Sequence, residues 1–214
     1  QGTVIGGAGN DTIERIPTTE WWRGVQAAYW DSPKGVRVDL EAGNADDGWG
    51  GRDTLIGVDS ASGSGNDDWF KGNADDNQFW PNNGNDTVIG SEGDDLVTGG
   101  DGNDLALLGL GDDVFVWNPG DDTDLNEGGA GTDTVEVNGG NGAEAFTVTE
   151  DRTERAGDAV NVGDDPKPHD ATVPAGVSPP LAGSAAVVMR DCRGRTQARI
   201  ARHTRRTSSR PDVP

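Results

Sequence analysis

Aspartate recurs every nine residues across the middle of this chain. Asp59, Asp68, Asp86, Asp95, Asp104, Asp113 and Asp122 fall on one nine-residue column, broken only by Asn77. The fullest unit around it is Gly99-Gly100-Asp101-Gly102-Asn103-Asp104-Leu105-Ala106-Leu107, of the form G-G-x-G-x-D-x-U-x with U apolar. Two places after each column residue stands a second column: Ala61, Phe70, Phe79, Val88, Val97, Ala106 and Phe115. A period of nine is neither that of a helix nor simple strand alternation. It fits a strand of about three residues followed by a turn of about six, wound repeatedly. The expected fold is therefore all-β, a parallel β-roll or β-solenoid of glycine- and aspartate-rich nonapeptides.

The pattern has outliers. Gly6-Gly7-Ala8-Gly9-Asn10-Asp11 opens a second full unit near the start, and Gly48-Trp49-Gly50-Gly51-Arg52-Asp53 fits with Trp49 in place of a glycine. Asp59 follows Asp53 by only six residues, a register jump. At the far end an eleven-residue step from Asp122 reaches Asp133, in Gly128-Gly129-Ala130-Gly131-Thr132-Asp133. The apolar column fails at Asp124, which predicts a loosened turn or cap over 119–126. Between the first two units, residues 15–34 carry Trp21, Trp22, Tyr29 and Trp30. They read as a loop or short helix over an open end of the stack. Gly35–Leu40 alternates apolar and polar residues, an ordinary strand signal.

These observations predict four segments: a partial repeat with an aromatic insertion over 1–34, the roll over 35–138, a terminal strand or cap over 139–150, and a tail over 151–214. Residues 1–150 hold 30 acidic and 6 basic side chains, and 151–214 hold 8 and 11. The tail, rich in proline and arginine and without a nonamer, is expected to be disordered. With 32% hydrophobic residues and 34 glycines in 214 residues, the chain is too lean for a greasy core alone. So acidic a segment repels itself unless cations neutralise it, and it is a poor match for nucleic acid. No apolar run is long enough for a membrane span. The single cysteine, Cys192, excludes an internal disulfide framework. The start, at Gln1, lacks a charged-then-apolar leader, which is expected of a fragment or processed product.

The nonamer has the makings of a calcium site. Its glycines let the backbone turn sharply so that peptide oxygens gather in a small space. Calcium takes six to eight oxygens and accepts carbonyls beside carboxylates. The candidate metal residues are Gly6, Gly7, Gly9, Asp11, Asp53, Asp68, Asp86, Gly90, Gly93, Asp95, Gly99, Gly100, Asp101, Gly102, Asp104, Gly109, Gly111, Asp113, Asp122, Gly128, Gly129, Gly131 and Asp133. If two nonamers make one coil, Asp68, Asp86, Asp104 and Asp122 stack along one edge, with Asp59, Asn77, Asp95 and Asp113 along the other. Several calcium ions between coils would then turn a ladder of like charges into cement, making metal binding and folding one event. Asp67, Asp76, Asp94, Asp112 and Asp121, one place before the column, read as solvated charge.

The nonamers, together with Tyr29-Trp30-Asp31-Ser32-Pro33-Lys34-Gly35-Val36-Arg37-Val38-Asp39-Leu40 ahead of them, resemble the repeats-in-toxin (RTX), or hemolysin-type, calcium-binding proteins over residues 2–148. The resemblance implies a right-handed parallel β-roll with calcium in its turns, in a secreted, extracellular protein that folds on meeting external calcium. It also implies an upstream effector domain in a longer parent. No catalytic motif is visible: His169 and His203 stand apart from any H-E-x-x-H, and no G-x-S-x-G occurs. The chain is accordingly read as non-enzymatic. The alternatives are a surface adhesin or carbohydrate-binding module contacting glycans through Trp21, Trp22, Trp30, Trp49, Trp69, Trp80 and Trp117, or an accessory domain of a secreted hydrolase or toxin.

Overall fold

The computed structural model describes residues 2–16, 24–118 and 120–138 in full. Beyond them it describes the backbone of four strands, Thr147–Asp151, Ala159–Gly163, Ser184–Arg190 and Thr196–Ile200. The chain winds into a parallel β-solenoid of about 6 turns, with no helix among the described residues.

Each coil contributes one strand to each of two sheets. Gly2–Ile5, Val25–Ala28, Ser60–Ser62, Gln78–Trp80, Leu96–Thr98, Val114–Trp117 and Thr132–Asn138 lie side by side in one. Thr12–Glu14, Arg52–Ile56, Asn44–Asp46, Arg37–Asp39, Trp69–Lys71, Thr87–Glu92, Leu105–Leu110 and Asp124–Ala130 form the other. The nine-residue period is visible as register. Thr87 pairs with Trp69 on one side and Leu105 on the other, eighteen residues away each time. Phe79 and Phe115 likewise flank Val97. Two nonamers therefore make one coil.

The column two places after the aspartates fills the space between the sheets. Ala61, Phe70, Phe79, Val88, Val97, Ala106 and Phe115 are all buried, joined by Val135 and Val137 from the last coil. Phe70 and Phe79 face each other across the core with centroids 5.5 Å apart. The roll is thin, so each coil depends on its neighbours for a dry interior.

Two expectations need correction, and one irregularity has a structural counterpart. Residues 25–28 are not a loop or helix over an open end: they form a strand paired in parallel with Gly2–Ile5 and Ser60–Ser62. The adjoining Tyr29 is buried in the core, while Trp21 and Trp22 lie outside the described residues. The register jump before Asp59 has a structural cause. Asn44–Asp46 is inserted between Arg37–Asp39 and Arg52–Ile56, antiparallel to both. Finally, 119–126 is not a terminal cap. The coil there is two residues longer, so Leu105 pairs with Leu125, and winding continues into Asp124–Ala130 and Thr132–Asn138.

Ala159–Gly163 runs antiparallel to Asp124–Ala130, and Ser184–Arg190 runs parallel to Thr132–Asn138. The rest of the tail expected to be disordered, with His169, Cys192 and His203, lies outside the described residues.

Candidate metal centre

The turns repeat one backbone shape. In the second place of the nonamer Gly7, Gly100, Gly109 and Gly129 have φ of 77, 98, 114 and 98°. Asn82 and Ser91 take the same left-handed conformation there, at 83 and 93°, so the turn shape survives the loss of that glycine. Asparagine pays little to sit there, and serine more. The fourth place is stricter. Gly102 has φ 130°, and a β-carbon on it would run into the Gly84 carbonyl of the preceding coil.

That shape aims the sixth-place side chains along the stack. Asp68 N–H donates to Asp86 Oδ1 at 2.7 Å, Asp86 N–H to Asp104 Oδ1 at 2.8 Å, and Asp104 N–H to Asp124 Oδ1 at 2.9 Å. On the other edge Asn77, Asp95 and Asp113 donate in the same way to Asp95, Asp113 and Asp133, at 2.8, 2.8 and 3.1 Å. The near end carries the same bond from Asp11 to Asp53, at 2.9 Å. The ladder therefore passes through Asp124. Asp122, expected to stack on Asp104, is exposed, because the two-residue lengthening of the coil moves the ladder position onward. Asp59 also stands off the ladder, 3.6 Å from Arg15.

A second ladder runs outside the first and in the opposite sense. Asp67 Oδ1 accepts from Asn85 N–H, Asp76 from Asp94, Asp94 from Asp112, and Asp112 from Thr132, each at 2.8 or 2.9 Å. These four fifth-place acids are exposed, as expected of solvated charge, yet each also ties its coil to the next; Asp121, expected to join them, is instead buried and accepts from Asn118 N–H.

Each inner carboxylate spends one oxygen on the ladder. The other, Oδ2, is buried without a partner in Asp86, Asp95, Asp104, Asp113 and Asp124, and also in Asp11. Without a cation, burial first and neighbouring carboxylates second push Asp86, Asp95, Asp104, Asp113 and Asp124 far up. Asp86 and Asp95 reach about 8, Asp104 and Asp113 about 7, and Asp124 about 9, although the ladder bonds act the other way. A buried acceptor aimed at nothing is costly, and a charged one more so.

Glycine leaves the space these oxygens face. A β-carbon on Gly99 would sit 3.1 Å from Asp104 Oδ2 and 3.2 Å from Asp124 Oδ2. One on Gly90 would strike both Asp95 Oδ2 and the Leu108 carbonyl of the next coil. Among the described residues no three acidic, histidine or cysteine side chains converge on one point. An ion held there would have to complete its ligands with peptide carbonyls or water, and such an all-oxygen donor set would suit calcium rather than zinc.

The family model for the RTX calcium-binding nonapeptide repeat matches residues 3–14, 56–88 and 80–115, in four copies. Residues 3–14 and 56–115 are RTX-type calcium-binding repeats. These repeats bind calcium, and their solenoid is a structural calcium-binding fold. No curated protein matches the chain. The matched stretch ends before Asp124, so the ladder runs one coil beyond the recognisable RTX motif.

Not every candidate residue has a free oxygen. Asp53 Oδ2 accepts from Tyr29 Oη at 3.1 Å. Asp68 is used up by the N–H groups of Val36 and Ser64 and by the Ser64 hydroxyl, at 2.7, 2.6 and 2.9 Å. Asp101 is exposed at the rim of its turn. Of the tryptophans, Trp117 is buried and Trp69 lies under Arg37, whose guanidinium carbon is 3.4 Å from the ring centroid. Trp30 and Trp49 are about half exposed, at 52% and 50%.

Proposed function

We propose that the chain is a calcium-folded module of a secreted protein, with Asp86, Asp95, Asp104, Asp113 and Asp124 as its principal carboxylate ligands. The observation that carries this reading is the set of buried, partnerless Oδ2 atoms on those five residues, each beside a turn of carbonyl-rich backbone. Bound calcium supplies the positive charge that the ladder lacks. The residues themselves hold coil to coil through Oδ1 and leave Oδ2 for the ion. The turn glycines keep the space open, and the core column keeps one side dry.

In the absence of calcium the same ladder is a column of like charges in a chain short of basic residues, and it resists closure. Calcium at extracellular concentration closes it, and low intracellular calcium leaves it open, which suits a protein exported before it folds. Module affinities of this type fall at about 0.1 to 1 mM. The test is calorimetric titration of the chelator-treated chain with calcium and with magnesium. Binding in that range with magnesium at least about tenfold weaker is the expected result, since magnesium demands octahedral geometry and holds its waters. No heat with calcium, or equal binding of both ions, would contradict it.

A surface-contact role remains attached to Trp30 and Trp49, the two tryptophans most exposed among the described residues. Quenching of their fluorescence by oligosaccharides, lost in the Trp30→Ala and Trp49→Ala variants, would support it; no quenching would remove it.

A further inference from the structure

Basic residues are unevenly placed. Before residue 151 they are Arg15, Arg23, Lys34, Arg37, Arg52 and Lys71, and from Gly72 to Glu150 there is none. The ion pairs among the described residues share this bias: Arg15–Asp59 at 3.6 Å, Arg52–Asp46 at 3.7 Å and Lys71–Glu41.

Hydrogen bonding divides at the same point. Asp47, fully buried, gathers the N–H groups of Trp49, Gly50 and Gly51 on Oδ1, each at 2.8 Å, and that of Gly9 on Oδ2 at 3.2 Å. Burial alone would raise its pKa, yet these donors hold it below the ordinary carboxylate value. Asp53 and Asp68 are satisfied by Tyr29, Val36 and Ser64, and the column residue that follows is the neutral Asn77, whose Oδ1 accepts from Asn73 N–H at 2.8 Å. Between 24 and 80 the buried side-chain atom left over is the Ser62 hydroxyl, which carries no charge. From Asp86 to Asp124 every ladder aspartate keeps a partnerless oxygen.

We propose that the solenoid folds in two stages. Residues 24–80, whose buried acids Asp47, Asp53 and Asp68 are answered by protein donors, close without divalent cation. Residues 81–138 then add to that template coil by coil only as calcium binds. The antiparallel Asn44–Asp46 strand helps the first stage, because it links Arg37–Asp39 to Arg52–Ile56 through short loops that cost little entropy to close. The Gly6–Asp11 turn, with its own partnerless Asp11 Oδ2, belongs to the calcium-dependent set. The second stage rests on the calcium reading above; the first does not.

Hydrogen exchange of the full chain, read by mass spectrometry in chelator and in calcium, separates the two. In chelator, peptides spanning 37–56 and 60–71 should exchange at least about tenfold more slowly than peptides spanning 87–98 and 105–117, and calcium should protect the latter. Tyr29→Phe, which strips the donor from Asp53, should reduce the chelator protection of 37–56 at least about tenfold. Uniformly fast exchange in chelator with full protection in calcium would overturn the two-stage proposal and leave the calcium reading intact. Full protection of 87–117 in chelator would remove the calcium reading and the second stage with it. Unchanged chelator protection in Tyr29→Phe would overturn the assignment of the first stage to these donors.

Discussion

Asp104 Oδ1 accepts the Asp86 N–H at 2.8 Å, and Asp104 N–H in turn donates to Asp124 Oδ1 at 2.9 Å. One residue thus bridges three coils, through its side chain on one side and its backbone on the other, and keeps a buried, partnerless Oδ2. Asp104→Ala leaves the Asp86 N–H without its acceptor, at a cost of about 1 to 3 kcal/mol, besides the lost ligand. The calcium midpoint for folding should rise at least about tenfold, since tenfold corresponds to ~1.4 kcal/mol. Asp59→Ala, off the ladder and near Arg15, should shift it less than about twofold. Calcium titrations followed by circular dichroism would measure both.

The pH dependence should reverse with calcium. Asp86, Asp95, Asp104, Asp113 and Asp124 have folded values of about 8, 8, 7, 7 and 9, against an ordinary value of 3.8. The metal-free fold binds more protons than the unfolded chain, so their protonation stabilises it. That stability is fully present below about pH 4 and is lost as pH rises through 7 to 9. In chelator the β signal should therefore grow on acidification from pH 8 to pH 5. In calcium the protons compete with the ion, so the calcium midpoint should rise over the same interval.

The fourth-place glycines should be irreplaceable where coils touch. Gly102→Ala combines a left-handed φ of 130° with a collision against the Gly84 carbonyl, and should cost more than about 1 kcal/mol in saturating calcium. Gly65→Ala, whose β-carbon would meet nothing within 4 Å, should be close to neutral. Thermal midpoints of the two variants provide the comparison.

Asn126 interrupts the core column. It is buried at the place where Ala106 stands one coil earlier, and its Oδ1 has no partner. Asn126→Val removes that unmet acceptor and supplies a β-branched side chain to a strand, and should stabilise the calcium-loaded chain by about 1 kcal/mol. Phe79→Ala, which empties the centre of the same column, should cost about 3 to 5 kcal/mol.

The winding was legible because its cause is local. Each nonamer carries its own turn, ladder residue and core residue, so the spacing of Phe70, Phe79, Val88 and Val97 was enough to place all four inside. What escaped notice was set by neighbours. The Asn44–Asp46 strand has no apolar alternation of its own and exists because two coils leave room for it. Asp124 was hidden because a lengthened coil carries the ladder two places beyond the nine-residue count. That Asp53 and Asp68 are satisfied by Tyr29, Val36 and Ser64 follows from partners 24, 32 and 4 residues distant, which no repeat predicts.

The central claim is that the ladder closes on calcium. Far-UV circular dichroism of the chelator-treated full chain during calcium titration tests it most directly. A cooperative gain of β signal with a midpoint at about 0.1 to 1 mM calcium is expected. A spectrum already at its calcium-loaded form in chelator, or one that calcium leaves unchanged, would contradict the account.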